Sequence, residues 1–337
     1  MAAELKTLLK ATSRSFYLTL RVLPARVRPQ IGLAYLLART TDTIADTEIV
    51  PLGQRLDALQ ELRARILGKS TTPLNFAGLA KQQVSSAERL LLEKVENSLA
   101  LLQKLSAADL QRVRGVLDII AGGQELDLQR FAGASAENII ALKSGIELDD
   151  YTYRVAGCVG EFWTQLCRAH LFPRAELEDA QLFGDSIRFG KGLQLVNILR
   201  DLAADLHKGR CYLPSLELDQ VGLIPSVLLS PVNESRFRPL YHRYLDVAES
   251  HLQAGWNYTN ALPRGQMRVR LACAWPILIG VRTIQRLRAA NVLELRRGIK
   301  ISRSEVRGIL LRSALAYPLR GAWRKLFVTS RKAVASA

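Results

Sequence analysis

Apolar residues recur at a helical period in successive blocks that fill most of the 337-residue chain. The blocks cover residues 26–47, 52–67, 82–104, 107–130, 137–170, 176–206, 234–260, 267–290 and 304–328. No convincing run alternates as a half-buried strand would. Helix breakers fall between the blocks: Pro24, Pro51, Gly53, Pro73, Gly133, Pro173, Pro214, Pro225, Pro231 and Pro263. Ser106, with Asp109 three residues on, reads as the N-cap of the block at 107, and Ser13 or Ser15 could cap an earlier helix. No flexible linker and no fixed-period repeat divides the chain. The expected fold is all-α and single-domain.

Two of these helices carry paired acids. Asp42 and Asp46, in AYLLARTTDTIADT, stand four apart, so both carboxylates lie on one face one turn apart. Arg39 shares that face. Asp201 and Asp205, in KGLQLVNILRDLAADLH, repeat the spacing, and Gln194 and Asn197 extend them into one polar stripe. Leu193, Leu195, Val196, Leu199 and Leu202 occupy the rest of that helix. A single such pair is usually a solvated face. Like charges one turn apart destabilise a helix, however, and two such pairs on largely apolar helices suit a compensating cation. Mg²⁺ takes oxygen ligands and bridges to substrate phosphates. The pattern therefore implies a helical cavity that binds diphosphate through Mg²⁺, with Mn²⁺ as an alternative ion.

The charge distribution is lopsided. The net charge is +16, and 17 of the 47 basic residues lie after Pro263 against only two acids, Glu294 and Glu305. Such a patch seeks a polyanion: nucleic acid, anionic lipid or a phosphorylated substrate. Residues 281–337 offer only Tyr317, Trp323 and Phe327 for base stacking, which argues against nucleic acid. The longest apolar run, Leu271–Val281, is too short to span a bilayer. Lys6, Lys10, Arg14 and Arg21 interrupt the N-terminus, so it does not read as a signal peptide. Cys158, Cys167, Cys211 and Cys273 form no C-x-x-C pair, which disfavours zinc and a disulfide framework. A monomer in a reduced cytoplasm, peripheral at the inner face of the membrane, is the expected setting.

Four ordered segments resemble the squalene/phytoene synthase family of head-to-head prenyl transferases. Ser13-Arg14-Ser15-Phe16 is similar to its S-R-S-F segment, and Arg39 with Asp42-Thr43-Ile44-Ala45-Asp46 to its first aspartate motif. The run from Asp150-Tyr151 to Val155-Ala156-Gly157 and Val159-Gly160 is similar to its D-Y-x-x-x-V-A-G-x-V-G helix. Gln194 to Asp205, followed by Gly209-Arg210-Cys211-Tyr212-Leu213-Pro214, is similar to its second aspartate motif. Ala45 and Ala204 depart from the family, which often has Glu there, so no metal or supporting role passes to those positions.

The resemblance implies an isoprenoid-synthase-like helical bundle with a central cavity, residues 1–303, followed by a basic C-terminal helix and tail, 304–337. It implies that Asp42, Asp46, Asn197, Asp201 and Asp205 hold the metal. Ser13, Arg14, Ser15, Arg39, Gln194, Asn197, Arg200 and Arg210 would bind the diphosphates of farnesyl diphosphate. Tyr151 would be the catalytic proton acceptor, and Phe16, Phe162, Leu166 and Trp275 would line the cavity wall. Two segments lean toward squalene synthesis: Leu271–Pro276, and Gly298-Ile-Lys300-Ile-Ser-Arg303, in which Lys300 and Arg303, with Asn197, would contact NADPH. Dehydrosqualene, phytoene or presqualene diphosphate synthesis is the alternative. Beyond Pro318, Leu319–Lys332 reads as a basic amphipathic segment suited to a headgroup interface.

Overall fold

The computed structural model describes residues 3–12, 16–295 and 299–332. They divide into two compact units, residues 1–129 with 161–175 and residues 130–160 with 176–337. The first unit holds α1 (Ala3–Thr12), α2 (Phe16–Val22), α3 (Arg28–Ala45), α4 (Leu52–Leu67), α5 (Ala77–Lys81), α6 (Ser86–Glu93), α7 (Val95–Leu102) and nearly all of α8 (Ala107–Arg130). The second holds β1 (Ile140–Ala141), α9 (Gly145–Thr152), a π-helical turn at Tyr153–Gly157 and the start of α10 (Cys158–His170). It continues with α11 (Asp179–His207), β2 (Arg210–Cys211), α12 (Ser215–Gln220), α13 (Glu234–Ala261), α14 (Met267–Ala289), α15 (Arg303–Ala316) and α16 (Arg320–Lys332).

Most of the expected helices form where the apolar period places them. Ser106 caps α8 through its hydroxyl, which accepts from the Asp109 N–H at 3.2 Å. Two differences have local causes. The block 82–104 breaks at Lys94 into α6 and α7. The block expected from 137 starts as a helix only at Gly145, where the Ser144 hydroxyl caps the Glu147 N–H. Residues 140–141 instead pair in parallel with 210–211, a two-residue ladder too short to leave an alternating pattern. Gly209 delivers β2 with φ +79, and a Cβ there would lie 2.3 Å from the Ser135 nitrogen.

The second unit is built around α11, which packs along α13 and against the π-turn. Small residues permit the close approach of the π-turn. A Cβ on Gly190 would fall 2.1 Å from the Ala156 oxygen, and one on Gly160 would fall 2.0 Å from the Ser186 oxygen. Both obstacles are backbone, so no side chain can move aside. Gly190→Ala is expected to cost about 3 kcal/mol, measured by urea unfolding. An unchanged midpoint would mean that the helices separate freely.

The C-terminal segment corrects one expectation. The apolar face of α16 is committed to protein: Trp323 and Phe327 are only 3 % and 1 % exposed. The Trp323 ring stacks on Trp256 at 5.2 Å, and its Nε1 donates to Asn260 Oδ1 at 2.9 Å. α16 is therefore a docked helix, and its two largest apolar side chains are not free to enter a bilayer. Amphipathic pattern alone cannot distinguish these partners, because a core and a headgroup interface demand the same stripe. Phe327→Ala is expected to cost about 4 kcal/mol in thermal or denaturant unfolding. A loss below about 1 kcal/mol would show α16 to be loosely held.

Candidate active site

In the first unit the site begins on α3. Burial of Leu33, Leu36, Leu37 and Ile44 fixes the rotation of that helix and leaves Arg39, Asp42 and Asp46 off its core face. Asp46 is the C-cap, its N–H bonded to the Asp42 carbonyl at 2.8 Å. Arg39 Nη1 lies 3.7 Å from Asp42 Oδ2, while Nη2 donates to Glu88 Oε1 at 2.6 Å. Gln124 Nε2, from α8, donates to Asp42 Oδ1 at 2.5 Å. Ala45 is buried and its carbonyl accepts from Arg55 Nη1 at 2.7 Å. A glutamate in its place would put a carboxylate into the core.

Asp42 is the electrostatically strained member. Its carboxyl is pushed up to about 7, first by removal of water around it and then by Asp46, with Arg39 opposing. Its side chain keeps 36 % of its surface, so water reaches one edge and screens part of both effects. Arg39 is held above its usual value by Asp42 and Glu88, although burial works against its charge. Between pH 4 and 7 the folded Asp42 keeps a proton that the unfolded chain has lost. Stability of the metal-free protein should therefore fall as pH rises through that window, and Asp42→Asn should flatten the decline. A wild-type melting temperature that rises with pH there, with the variant running parallel, would contradict the assignment.

In the second unit α11 presents the other stripe. Leu195, Val196, Ile198, Leu199, Leu202 and Leu206 are buried. Asn197 is exposed, and Gln194, Asp201 and Asp205 are half-buried. Arg200 forks onto Asp201, with Nε to Oδ1 at 2.9 Å and Nη2 to Oδ2 at 2.5 Å. That bond, and the charge of Asp205, hold the guanidinium above its ordinary value against burial. Tyr151 on α9 is half-buried and stacks on Tyr212 with ring centroids 4.6 Å apart. Its neighbour Asp150 takes Arg154 at 2.8 Å and Arg130 at 3.5 Å. Arg210 lies over the Phe131 ring at 6.0 Å.

The remaining expected residues fall as follows. Ser13, Arg14 and Ser15 lie outside the described residues, as do the Phe16 side chain and Gly298. Phe162 and Leu166 are buried in α10. Trp275 donates from Nε1 to Ser313 Oγ at 2.9 Å, which places its indole in the seam between α14 and α15. Lys300 and Arg303 are exposed at the start of α15, beside the Ser302–Glu305 capping box. Glu88 and Gln124 were not found by sequence reasoning. Glu88 left one signal, as the fourth residue of a Ser85-x-x-Glu88 helix start.

The donor sets suit magnesium better than a dedicated protein cage. Among the described residues no three acids, histidines or cysteines converge as a metal group. Mg²⁺ usually keeps several waters and takes one or two carboxylates plus phosphate oxygens, which two aspartates per helix can supply. The raised Asp42 carboxyl reflects burial and the neighbouring Asp46, an arrangement that a cation would relieve. On α3, Asp42 would have to release its proton to hold a cation; on α11, Asp201 would have to share an oxygen now held by Arg200.

The sequence pattern described as squalene/phytoene synthase matches residues 9–305. The 15-cis-phytoene synthase of Synechocystis is 29% identical over 272 residues, spanning 79% of this chain and 68% of that protein. The squalene synthase ERG9 of Saccharomyces cerevisiae is 27% identical over 227 residues, spanning 67% of this chain and 48% of that protein. Among solved structures, TcSQS in complex with a ligand superimposes with a TM-score of 0.79 at 20% identity, covering 99% of this chain and 93% of that one. At that identity the likeness speaks for the fold, which is isoprenoid-synthase-like and all-α.

Proposed function

Because the chain belongs to the squalene/phytoene synthase family, whose members are prenyl transferases that condense head to head, we propose that it joins two farnesyl diphosphates to presqualene diphosphate and reduces this to squalene. The observation that carries the reading is the pair of i, i+4 aspartates on each of two long helices, with Asp42 driven up first by burial and then by Asp46. Asp42 and Asp46, and Asp201 with Asp205 and Asn197, would hold Mg²⁺. Bound there, Mg²⁺ supplies charge neutralisation to the diphosphate and stabilises its departure.

The chain's own groups do the rest. Arg39, Arg200 and Arg210 can donate charge-assisted hydrogen bonds to phosphate oxygens, with Gln194 completing the polar stripe. Arg200 is already planar and forked on a carboxylate, so it can exchange Asp201 for a phosphate without a new rotamer cost. In the family's chemistry, loss of diphosphate from the donor gives an allylic cation, the acceptor double bond attacks it, and loss of a proton closes the cyclopropane. Tyr151 is the candidate acceptor of that proton. A free phenol, with pKa about 10, is a weak base at neutral pH, so the role requires the surrounding cations to favour phenolate. The departing diphosphate is the competing base. Water must be kept from the cations, a task for apolar residues such as Phe162 and Leu166.

Lys300 and Arg303, with Asn197, would hold NADPH, which would supply the hydride of the second step. Lys300 and Arg303 support this reading, because both are exposed and no ion pair among the described residues engages either. A second reading, phytoene or dehydrosqualene synthesis without reduction, is favoured by the phytoene synthase likeness. Purified protein supplied with farnesyl or geranylgeranyl diphosphate and Mg²⁺, with and without NADPH, decides between them by product analysis. Squalene only with NADPH supports the first reading, and one unreduced hydrocarbon under both conditions supports the second. For location, we place the protein at the cytoplasmic membrane surface. No helix among the described residues is long and apolar enough to cross a membrane, and the basic segment after Pro263 suits anionic headgroups.

A further inference from the structure

Where α13, α14 and α16 meet in the second unit, a cavity of about 150 Å³ is lined by four arginines: Arg264, Arg270, Arg320 and Arg324. Asn260, Tyr317 and Trp323 complete its wall, and no carboxylate does. Arg270 is the anomaly. It is only 5 % exposed, yet it makes no ion pair among the described residues. Its Nη2 donates to Asn260 Oδ1 at 3.0 Å and its Nη1 reaches the Leu262 carbonyl at 3.5 Å, while its buried Nε has no hydrogen-bond partner. The Tyr317 and Trp323 rings lie 5.6 and 5.5 Å from the guanidinium carbon and hold the group in place. Burial, with Arg264 adding repulsion, depresses its basicity.

A buried cation whose neighbours are neutral or cationic is costly unless an anion joins it. Several planar guanidiniums around a small cavity match the oxygens of a phosphate group. Arg320 and Arg324 occupy the first two turns of α16, whose N-terminal dipole also favours an anion.

The surface beside the cavity identifies the source of that phosphate. Leu311 and Leu315 lie one turn apart on α15, and Leu319 follows just before α16. They are 62 %, 66 % and 64 % exposed. Arg307 and Arg312 are exposed on the same helix, and Arg320 adjoins Leu319. Exposed leucines among arginines gain nothing from a free phosphate ion. They gain both apolar burial and charge neutralisation at an anionic bilayer.

We propose that the Arg264–Arg270–Arg320–Arg324 cavity binds the phosphate of an anionic lipid headgroup while Leu311, Leu315 and Leu319 enter the adjoining interface. This rests on the membrane-surface part of the proposed function and is independent of the prenyl-transfer chemistry. It also moves the bilayer contact from the apolar face of α16, which the core uses, to the corner between α15 and α16.

The test is co-sedimentation of the full-length protein with vesicles of mixed phosphatidylglycerol and phosphatidylcholine, against phosphatidylcholine alone. Arg320→Ala/Arg324→Ala changes two exposed side chains, and Arg270→Gln removes the buried charge. Lys81→Ala/Lys104→Ala, on exposed lysines of the first unit, removes the same charge as the double variant. The expected result is binding to the anionic vesicles only, weakened about tenfold or more by the cavity variants and essentially unchanged by the lysine control. Leu315→Ser/Leu319→Ser should weaken it as well. Equal losses in the cavity and control variants would overturn the site in favour of diffuse attraction. Retention of binding by Arg320→Ala/Arg324→Ala would do the same, and that variant decides if Arg270→Gln fails to fold. A parallel arm titrates inorganic phosphate and follows tryptophan fluorescence. Saturable phosphate binding that is lost in Arg270→Gln, without any vesicle binding, would overturn the lipid source. If wild type ignores anionic vesicles altogether, the membrane reading fails with it, while the product assay stands apart.

Discussion

Asp201→Asn and Asp42→Asn are each expected to lower product formation about a thousandfold while leaving the fold intact. The fold survives each change for a different reason. Asp201 is 45 % exposed and paired with its chain neighbour Arg200, a surface pair worth roughly 0–1 kcal/mol. Asp42 opposes Asp46 within α3, so its replacement by a neutral amide relieves repulsion, and Gln124 Nε2 can still donate to the new side-chain oxygen. Asp42→Asn should therefore melt at the same temperature as the parent protein or slightly higher above pH 7, while losing turnover. Stability and activity moving in opposite directions is what a charge pair kept for a cation would show. The measurement is initial rate against Mg²⁺ concentration, beside a thermal melt of each variant. Near-parental turnover at limiting Mg²⁺ in either variant would remove that cluster from the metal site. A matched loss of melting temperature would make the aspartates structural.

Helix identity was readable because burial of one face imposes the period directly. α4 and α8 coincide with their expected blocks at both ends. The break at Lys94 was not readable, since neither Gly nor Pro marks it and the apolar period continues across it. The Ile140–Arg210 ladder was not readable because a two-residue strand carries no period at all. The aspartate pairs were legible for a local reason, namely that i, i+4 spacing fixes a shared face within one helix. Their supporting groups were not, because Glu88 and Gln124 reach Arg39 and Asp42 from distant segments of sequence. The same limit explains α16. Its stripe of Trp323 and Phe327 was correctly apolar, but what covers it depends on Trp256, a residue from another helix. Arg270 shows the converse: it stands just before the apolar run of α14, where sequence offers only one more C-terminal charge, and only its burial sets it apart.

The product itself should change with reductant. With NADPH the enzyme is expected to release squalene, and without it presqualene diphosphate, rearranged alcohols or dehydrosqualene should accumulate, because the final cation then meets only water or loses a proton. Lys300 and Arg303 are the groups on which this rests. The backbone near them is anchored: the Arg286 guanidinium binds the Lys300 carbonyl and pairs with Glu305 at 2.5 Å, and Ser302 and Glu305 close the capping box of α15. Anchored backbone with two exposed, uncommitted cations is suited to a phosphate-bearing cofactor, whereas cations that merely tune the surface need no such support. Arg303→Ala and Lys300→Ala should each raise the NADPH concentration for half-maximal squalene formation about tenfold, with the farnesyl diphosphate dependence nearly unchanged. Equal effects on both dependences would assign the two residues to general attraction of anions. A single hydrocarbon, identical with and without NADPH, would make the enzyme a reductant-free synthase and leave Lys300 and Arg303 without a role in the chemistry.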